Sequence, residues 1–281
     1  LAYTCITYFM PCKMGSGNKV MCGMHIVFSL LLLGGFKYYN FFIESINDIA
    51  GTRIRTLDII LPLGISFYIL TAIGYVLDVY MGKYGAEKNF WKVATFIIYY
   101  PKMLSGPIER GQRFFDKLDS IERITKERFH IGIQIIAFGL LKKLVIADRL
   151  GVCVDAVFAA PEIYSAPAIL CAMISYAIQI YCDFSGYTDI AIGVSYLIGI
   201  QLDENFNLPY CATNPSDFWK RWHISLSGWF RDYVYIPMGG SRKGSICTYR
   251  NILITMLVSG IWHGANWTFV LWGFIHGVAQ C

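Results

Sequence analysis

An imidazole sits where hydrocarbon discourages one. His263 lies in Ser259-Gly-Ile-Trp-His-Gly-Ala-Asn-Trp267, inside the stretch 251–281, which holds no Asp, Glu, Lys or Arg. An ionisable side chain in such a run is costly, so it is expected to face a cavity, a partner or a proton path. Read as one helix, the run places Asn266 and Trp267 three and four positions past His263, on the same face. Flanking glycines would let a ligand or a second backbone approach closely. The imidazole could serve as general base for a hydroxyl or as one step of a proton relay. A packed histidine, hydrogen-bonded between helices, is the bland alternative.

His223, in Phe218-Trp-Lys-Arg-Trp-His-Ile-Ser-Leu-Ser227, is the second candidate. An interfacial helix carries a solvated His at no cost, so its functional reading competes with that one. His276 could add a third polar group to the bundle, while His25 and His130 lie at segment ends and read as incidental. Asp183 and Asp189, in Cys182-Asp-Phe-Ser-Gly-Tyr-Thr-Asp189, interrupt an apolar stretch. They could bind substrate, orient an imidazole or relay protons, and a structural ion pair is an equal reading. Gly239-Gly-Ser-Arg-Lys-Gly244 lacks the spacing of a P-loop and reads as a basic turn. There is no Gly-x-Ser-x-Gly elbow, and the histidines lack the short spacing of a zinc-ligand pair.

The elements that must hold these groups follow from composition. The 281 residues are 56% hydrophobic and 15% charged, with a mean hydropathy of +0.47. Soluble domains spend about a quarter of their residues on charge, so a soluble enzyme and a disordered chain are excluded. The nine cysteines form no Cys-x-x-Cys pair, which argues against a disulfide framework or zinc site. The net charge of +5 comes from basic residues that punctuate apolar runs, the pattern of cytoplasmic loops rather than of a nucleic-acid surface. The fold class expected is all-α, a polytopic transmembrane helical bundle with re-entrant and interfacial helices.

A hydrocarbon core about 30 Å thick takes roughly 20 apolar residues of helix. The runs 20–36, 59–77, 163–182 and 251–281 are the candidates. Gly260, Gly264, Gly273 and Gly277 mark the last for a bend or a broken pair of helices. The segments 93–101 and 129–141 are short, which suggests re-entrant or buried helices. The basic connection 102–128 belongs on the cytoplasmic side, with Thr125 as N-cap of the helix that follows. Within 201–250, Asn214-Pro215 reads as a helix start. Phe218, Trp222, Leu226 and Trp229 then recur at the spacing of one amphipathic interfacial helix. The chain opens on Leu1 and stops directly after an apolar run, so both ends read as cut. Residues 1–33 would be the tail of an earlier membrane segment and the start of the next, and 34–281 a core incomplete at its C-terminus.

Several long words occur in order: Leu61-Pro-Leu-Gly-Ile-Ser-Phe67, Asp78-Val-Tyr80, Ser105-Gly-Pro-Ile108, Asp183-Phe-Ser-Gly-Tyr-Thr-Asp-Ile-Ala-Ile-Gly193 and Glu204-Asn-Phe-Asn-Leu-Pro-Tyr210. Asp217-Phe-Trp-Lys-Arg-Trp-His223, Trp229-Phe-Arg-Asp-Tyr233 and Trp262-His-Gly-Ala-Asn-Trp267 follow. From about Gly34 onward the chain resembles the membrane-bound O-acyltransferase family, and Tyr235-Ile-Pro-Met-Gly-Gly-Ser-Arg-Lys-Gly244 is similar to its alginate O-acetyltransferase branch. The resemblance implies that His263 is the catalytic His and His223 the second motif His. It implies a bundle of two funnels meeting near mid-membrane, with an acyl donor entering from the cytoplasm and an acceptor from outside. The donor would be an acyl thioester such as acetyl-CoA or an acyl carrier, with no bound cofactor. The expected setting is the cell (inner) membrane, beside an extracytoplasmic polysaccharide-modifying acetyltransferase. Asp183, Asp189, Asn266, Trp262 and Trp267 are the expected substrate contacts. D-alanyl transfer to teichoic acid is the alternative within the family. A proton-coupled transporter or channel, using Asp183, Asp189 and His263 as a relay, is the alternative of another class.

Overall fold

The computed structural model describes residues 2–121 and 123–281. Leu1, at the head of the expected tail segment, and Glu122, in the basic connection, lie outside the described residues. The chain is 75% helical, with no β-strand among the described residues. It divides into two compact units, one formed by Leu1–Tyr99, Ile108–Phe115 and Asn207–Cys281, the other by Tyr100–Pro107 and Asp116–Phe206.

The first unit begins with α1 (Ala2–Met14) and then α2 (Lys19–Leu33), which runs through a π-helical turn at Gly34–Tyr38 into α3 (Tyr39–Ala50). These last three pieces make one continuous helix, Lys19–Ala50, of 32 residues. At 1.5 Å per residue it is about 48 Å long, more than a hydrocarbon core requires. The expected span at 59–77 is instead extended at its head and forms α4 (Ile65–Tyr80), a 16-residue helix buried along most of its length. Pro62 and a left-handed Gly64 delay its start. Next comes α5 (Phe90–Ile98), short as expected, with Val93, Ala94, Phe96 and Ile97 buried and Trp91 and Ile98 exposed.

The other unit opens with a short turn, α6 (Tyr100–Met103), and the chain passes between units along α7 (Gly111–Asp119). Thr125 accepts from the Arg128 amide at 3.1 Å and starts α8 (Lys126–Leu140), as the sequence suggests. The expected short segment at 129–141 does not end there. A π-helical stretch, Leu141–Ala147, carries α8 into α9 (Asp148–Ala159), giving 34 continuous residues. Likewise the run 163–182 extends into α10 (Ala166–Ile198), 33 residues long, straight through both aspartates. Their charges are matched by Lys142–Asp189 at 2.7 Å and Lys143–Asp183 at 2.5 Å, so the helix has no reason to break. Glycines let α8 and α10 touch: a Cβ on Gly186 would meet the Gly139 carbonyl oxygen at 2.7 Å.

The three long helices bury only 22%, 11% and 17% of their apolar windows. Leu31, Val145 and Ile174 stand exposed on them. Apolar helices whose backbone bonds close internally, yet whose side chains are unburied, suit hydrocarbon rather than water. The chain is a membrane protein.

Back in the first unit, the single amphipathic helix expected from Phe218 to Trp229 is two: α11 (Pro215–Arg221) and α12 (Ile224–Phe230), separated at His223. Asn214 caps α11 by accepting from Asp217 N at 2.8 Å. The apolar spacing is still used, because Leu226 and Trp229 enter a core with Ile69, Leu70 and Trp262. The run 251–281 is indeed a broken pair, α13 (Ser245–His263) and α14 (Trp267–Gln280). Gly260 and Gly273 let the two helices pack backbone to backbone; a Cβ on Gly273 would meet the Met256 carbonyl oxygen at 2.5 Å.

Gly273→Leu should therefore wedge α13 from α14 and cost about 1–3 kcal/mol, as overpacking does. Gly23→Ala in α2 meets nothing within 4 Å and should gain up to about 1 kcal/mol of helix propensity. Thermal unfolding in detergent checks both signs, and equal melting of the two variants would contradict the packing described.

Candidate active site

His263 is the last residue of α13, at the break rather than at mid-helix. That end is held from the π-helical turn. Lys37 Nζ donates to the carbonyl oxygen of Trp262, to that of His263 at 3.3 Å and to Ser66 Oγ at 3.3 Å. Tyr38 OH donates to Ile261 O at 2.6 Å and Trp262 O at 3.2 Å. A helix end leaves its last carbonyls without intrahelical donors; here two side chains supply them.

The break corrects one expectation. Asn266 and Trp267 do not share a helical face with His263. Asn266 is the N-cap of α14, its side chain accepting from Thr268 N at 2.9 Å. Trp267 is exposed, its ring against Phe41 and its indole N–H donating to Ser45 Oγ at 3.2 Å. The rings that touch His263 are Trp262, at 5.0 Å between centroids, and Trp272, also at 5.0 Å.

From there a series of rings runs outward. Trp272 meets His276 at 4.6 Å, and His276 meets Trp219 at 5.2 Å. On the other side Trp262 meets Phe67 at 5.6 Å, and Phe67 stacks on His223 at 6.4 Å. Trp219, in α11, and His223, at the start of α12, lie four residues apart in the chain. His263 is only partly buried among these rings. The indole N–H groups of Trp262 and Trp219 are buried without a hydrogen-bond partner. Such donors are uncommon in a settled interior and are suited to an oxygen of a ligand.

His223 differs from His263 in its backbone. It adopts φ 44° and ψ 53°, the left-handed region. For a residue other than glycine this costs about 1–2 kcal/mol, and such strain gathers where function over-determines the structure. Its side chain is 1% exposed. Burial first, and the neighbouring His263 second, hold its imidazole well below the usual histidine range, so it is neutral near pH 7. The solvated interfacial His is therefore not what the fold contains.

Among the remaining sequence candidates, Asp183 and Asp189 lie on α10 of the other unit, held by Lys143 and Lys142, with Lys143 also bonded to Asp148 at 2.8 Å. His25 is not at a segment end but fully buried within α2, within hydrogen-bond distance of Thr7 Oγ1 at 3.1 Å. The Gly239–Gly244 turn gives one carbonyl to a buried asparagine: Asn251 Nδ2 donates to Gly240 O at 2.9 Å. Sequence reasoning overlooked Lys37, Tyr38, Trp219 and Trp272. Lys37 carried a signal, as the one charged residue between positions 20 and 43.

Comparison with known proteins adds the family. A model of the membrane-bound O-acyltransferase family matches residues 87–281. The chain is 43% identical to a probable alginate O-acetylase AlgI of Azotobacter vinelandii, over 98% of this chain and 57% of that protein. It is 36% identical to a peptidoglycan O-acetyltransferase of Helicobacter pylori, over 90% of this chain and 53% of the relative. A teichoic acid D-alanyltransferase of Bacillus subtilis is 33% identical, over 77% and 57%. The chain spans about half the length of the curated relatives it matches.

A neutral buried His223 makes stability pH-dependent. Its folded-state pKa is depressed, while the unfolded chain takes up a proton near pH 6.5. Stability is then fully present above about pH 6.5 and is lost as pH falls below it. His223→Asn, which tolerates the left-handed backbone and carries no titrating group, should shrink the fall in melting temperature between pH 7.5 and pH 5. An undiminished fall would mean that His223 is not the group resisting protonation.

Proposed function

The chain belongs to the membrane-bound O-acyltransferase family, and from that footing we propose that it supplies the catalytic core, residues 34–281, of an O-acetyltransferase acting on an exported or cell-surface polysaccharide. The observation that carries the reading is the His263 imidazole: clamped at a helix end, partly exposed, and flanked by an unpartnered indole N–H. His263 takes the proton of an acceptor hydroxyl, and that oxygen attacks the carbonyl carbon of an acyl thioester. The Trp262 N–H donates to the oxyanion that forms. The tetrahedral intermediate then expels the thiolate, which recovers the proton from the imidazolium. His223, neutral and strained, backs the site through Phe67 and acts as the second catalytic His.

Of the expected substrate contacts, Trp262 keeps that role in this reading. Asn266 and Trp267 shape the break that exposes His263, and Asp183 and Asp189 hold α10 to the lysines of the α8–α9 helix. Because both carboxylates are already paired, acyl transfer is favoured over a proton-coupled transport relay. Acetyl transfer is favoured over D-alanyl transfer by the higher identity to the acetylating relatives. The donor is acetyl-CoA or an acyl carrier on the cytoplasmic face of the cell membrane. An extracytoplasmic acetyltransferase partner would complete delivery to the sugar.

In cells carrying the gene, His263→Ala should abolish the O-acetyl esters of the exported polysaccharide while the protein still inserts in the membrane. Trp262→Phe, which keeps a ring and deletes the N–H, should lower the rate by about 10²-fold. Full acetylation by His263→Ala removes the assignment, and an unimpaired Trp262→Phe removes the indole donor from it.

A further inference from the structure

We propose that Lys37 is the positioning residue of the site, holding the His263 imidazole in place by capping the C-terminal carbonyls of α13 from the π-helical turn at Gly34–Tyr38. The proposal rests on the reading of His263 as general base and adds the device that orients it.

A lysine midway along a membrane-length apolar helix requires a partner. An ammonium has three protons and no acceptor. Lys37 finds three oxygens, the carbonyls of Trp262 and His263 and the hydroxyl of Ser66. Its protons are thus committed to the protein, which makes it a group that positions rather than one that reacts. The same ammonium lies 5.6 Å from the Trp262 ring centroid, where the ring face attracts it.

The end of α13 needs such a donor. In an apolar surround, water is not at hand to satisfy the last carbonyls of a helix, and α14 does not begin until Trp267. A cation at a helix C-terminus also meets the negative end of the helix dipole. The π-helical turn explains how one helix reaches that end with two consecutive side chains, Lys37 and Tyr38. Such turns are infrequent and recur at functional sites. Removing the clamp frees the residues immediately before the break, and with them the rings of Trp262 and His263.

The test uses membrane vesicles from cells that carry the full chain together with its extracytoplasmic partner, radiolabelled acetyl-CoA, and polysaccharide prepared from cells deleted for the gene. Lys37→Met should lower kcat ten- to a hundredfold, the scale of a misplaced catalytic group, with KM within about twofold. Lys37→Arg, whose guanidinium can donate to the same carbonyls, should return kcat to within about threefold. A wild-type kcat in Lys37→Met beside an inactive His263→Ala overturns this inference and leaves the function standing; an active His263→Ala overturns the function itself. Should Lys37→Met fail to reach the membrane, Lys37→Gln is judged by the same two outcomes.

Discussion

A helix cannot end cheaply where water is scarce. Its last carbonyls have lost their intrahelical donors, and hydrocarbon offers none. In this protein α13 ends at the residue that carries the candidate base, and the deficit is met by Lys37 and Tyr38. The break at 264–266 frees the imidazole from a continuous helix face. The clamp keeps that freedom from becoming disorder. Much else in the first unit serves this one junction.

The junction is framed by small and large residues in complementary roles. Gly260 and Gly273 remove side-chain bulk between α13 and α14, so the two backbones come into contact. Around the tip of this pair the aromatic rings of Phe67, Trp262, Trp272 and Trp219 pack against one another and against the three imidazoles. Rings offer stiff, shaped surface with few rotatable bonds. They also leave edge N–H groups free to meet an incoming oxygen, which an aliphatic lining would not.

In the other unit, charge within apolar helices is managed by pairing. Lys142 and Lys143 occur on a π-helical stretch, and each meets an aspartate of α10. Among the described residues the same local distortion therefore accompanies lysines of membrane-length apolar helices twice, once to cap a helix and once to neutralise carboxylates. In both cases the lysine's charge is answered within its own unit, as the low-dielectric setting demands.

Membrane residence, helical class and the caps at Thr125 and Asn214 were legible in the sequence. Each depends on composition or on a spacing of a few residues, and local physics reads such signals directly. The family words were legible for the same reason. What the tertiary structure decided were the places where local preference is overruled by a distant partner. The apolar spacing from Phe218 to Trp229 asks for one helix, yet packing holds His223 in a left-handed turn and makes two. Asp183 and Asp189 look like interruptions until lysines some forty residues earlier neutralise them. Asn266 and Trp267 leave the His263 face because the chain breaks at Gly264, and it can break there because Lys37 and Tyr38, more than two hundred residues away, supply the donors the helix end lacks.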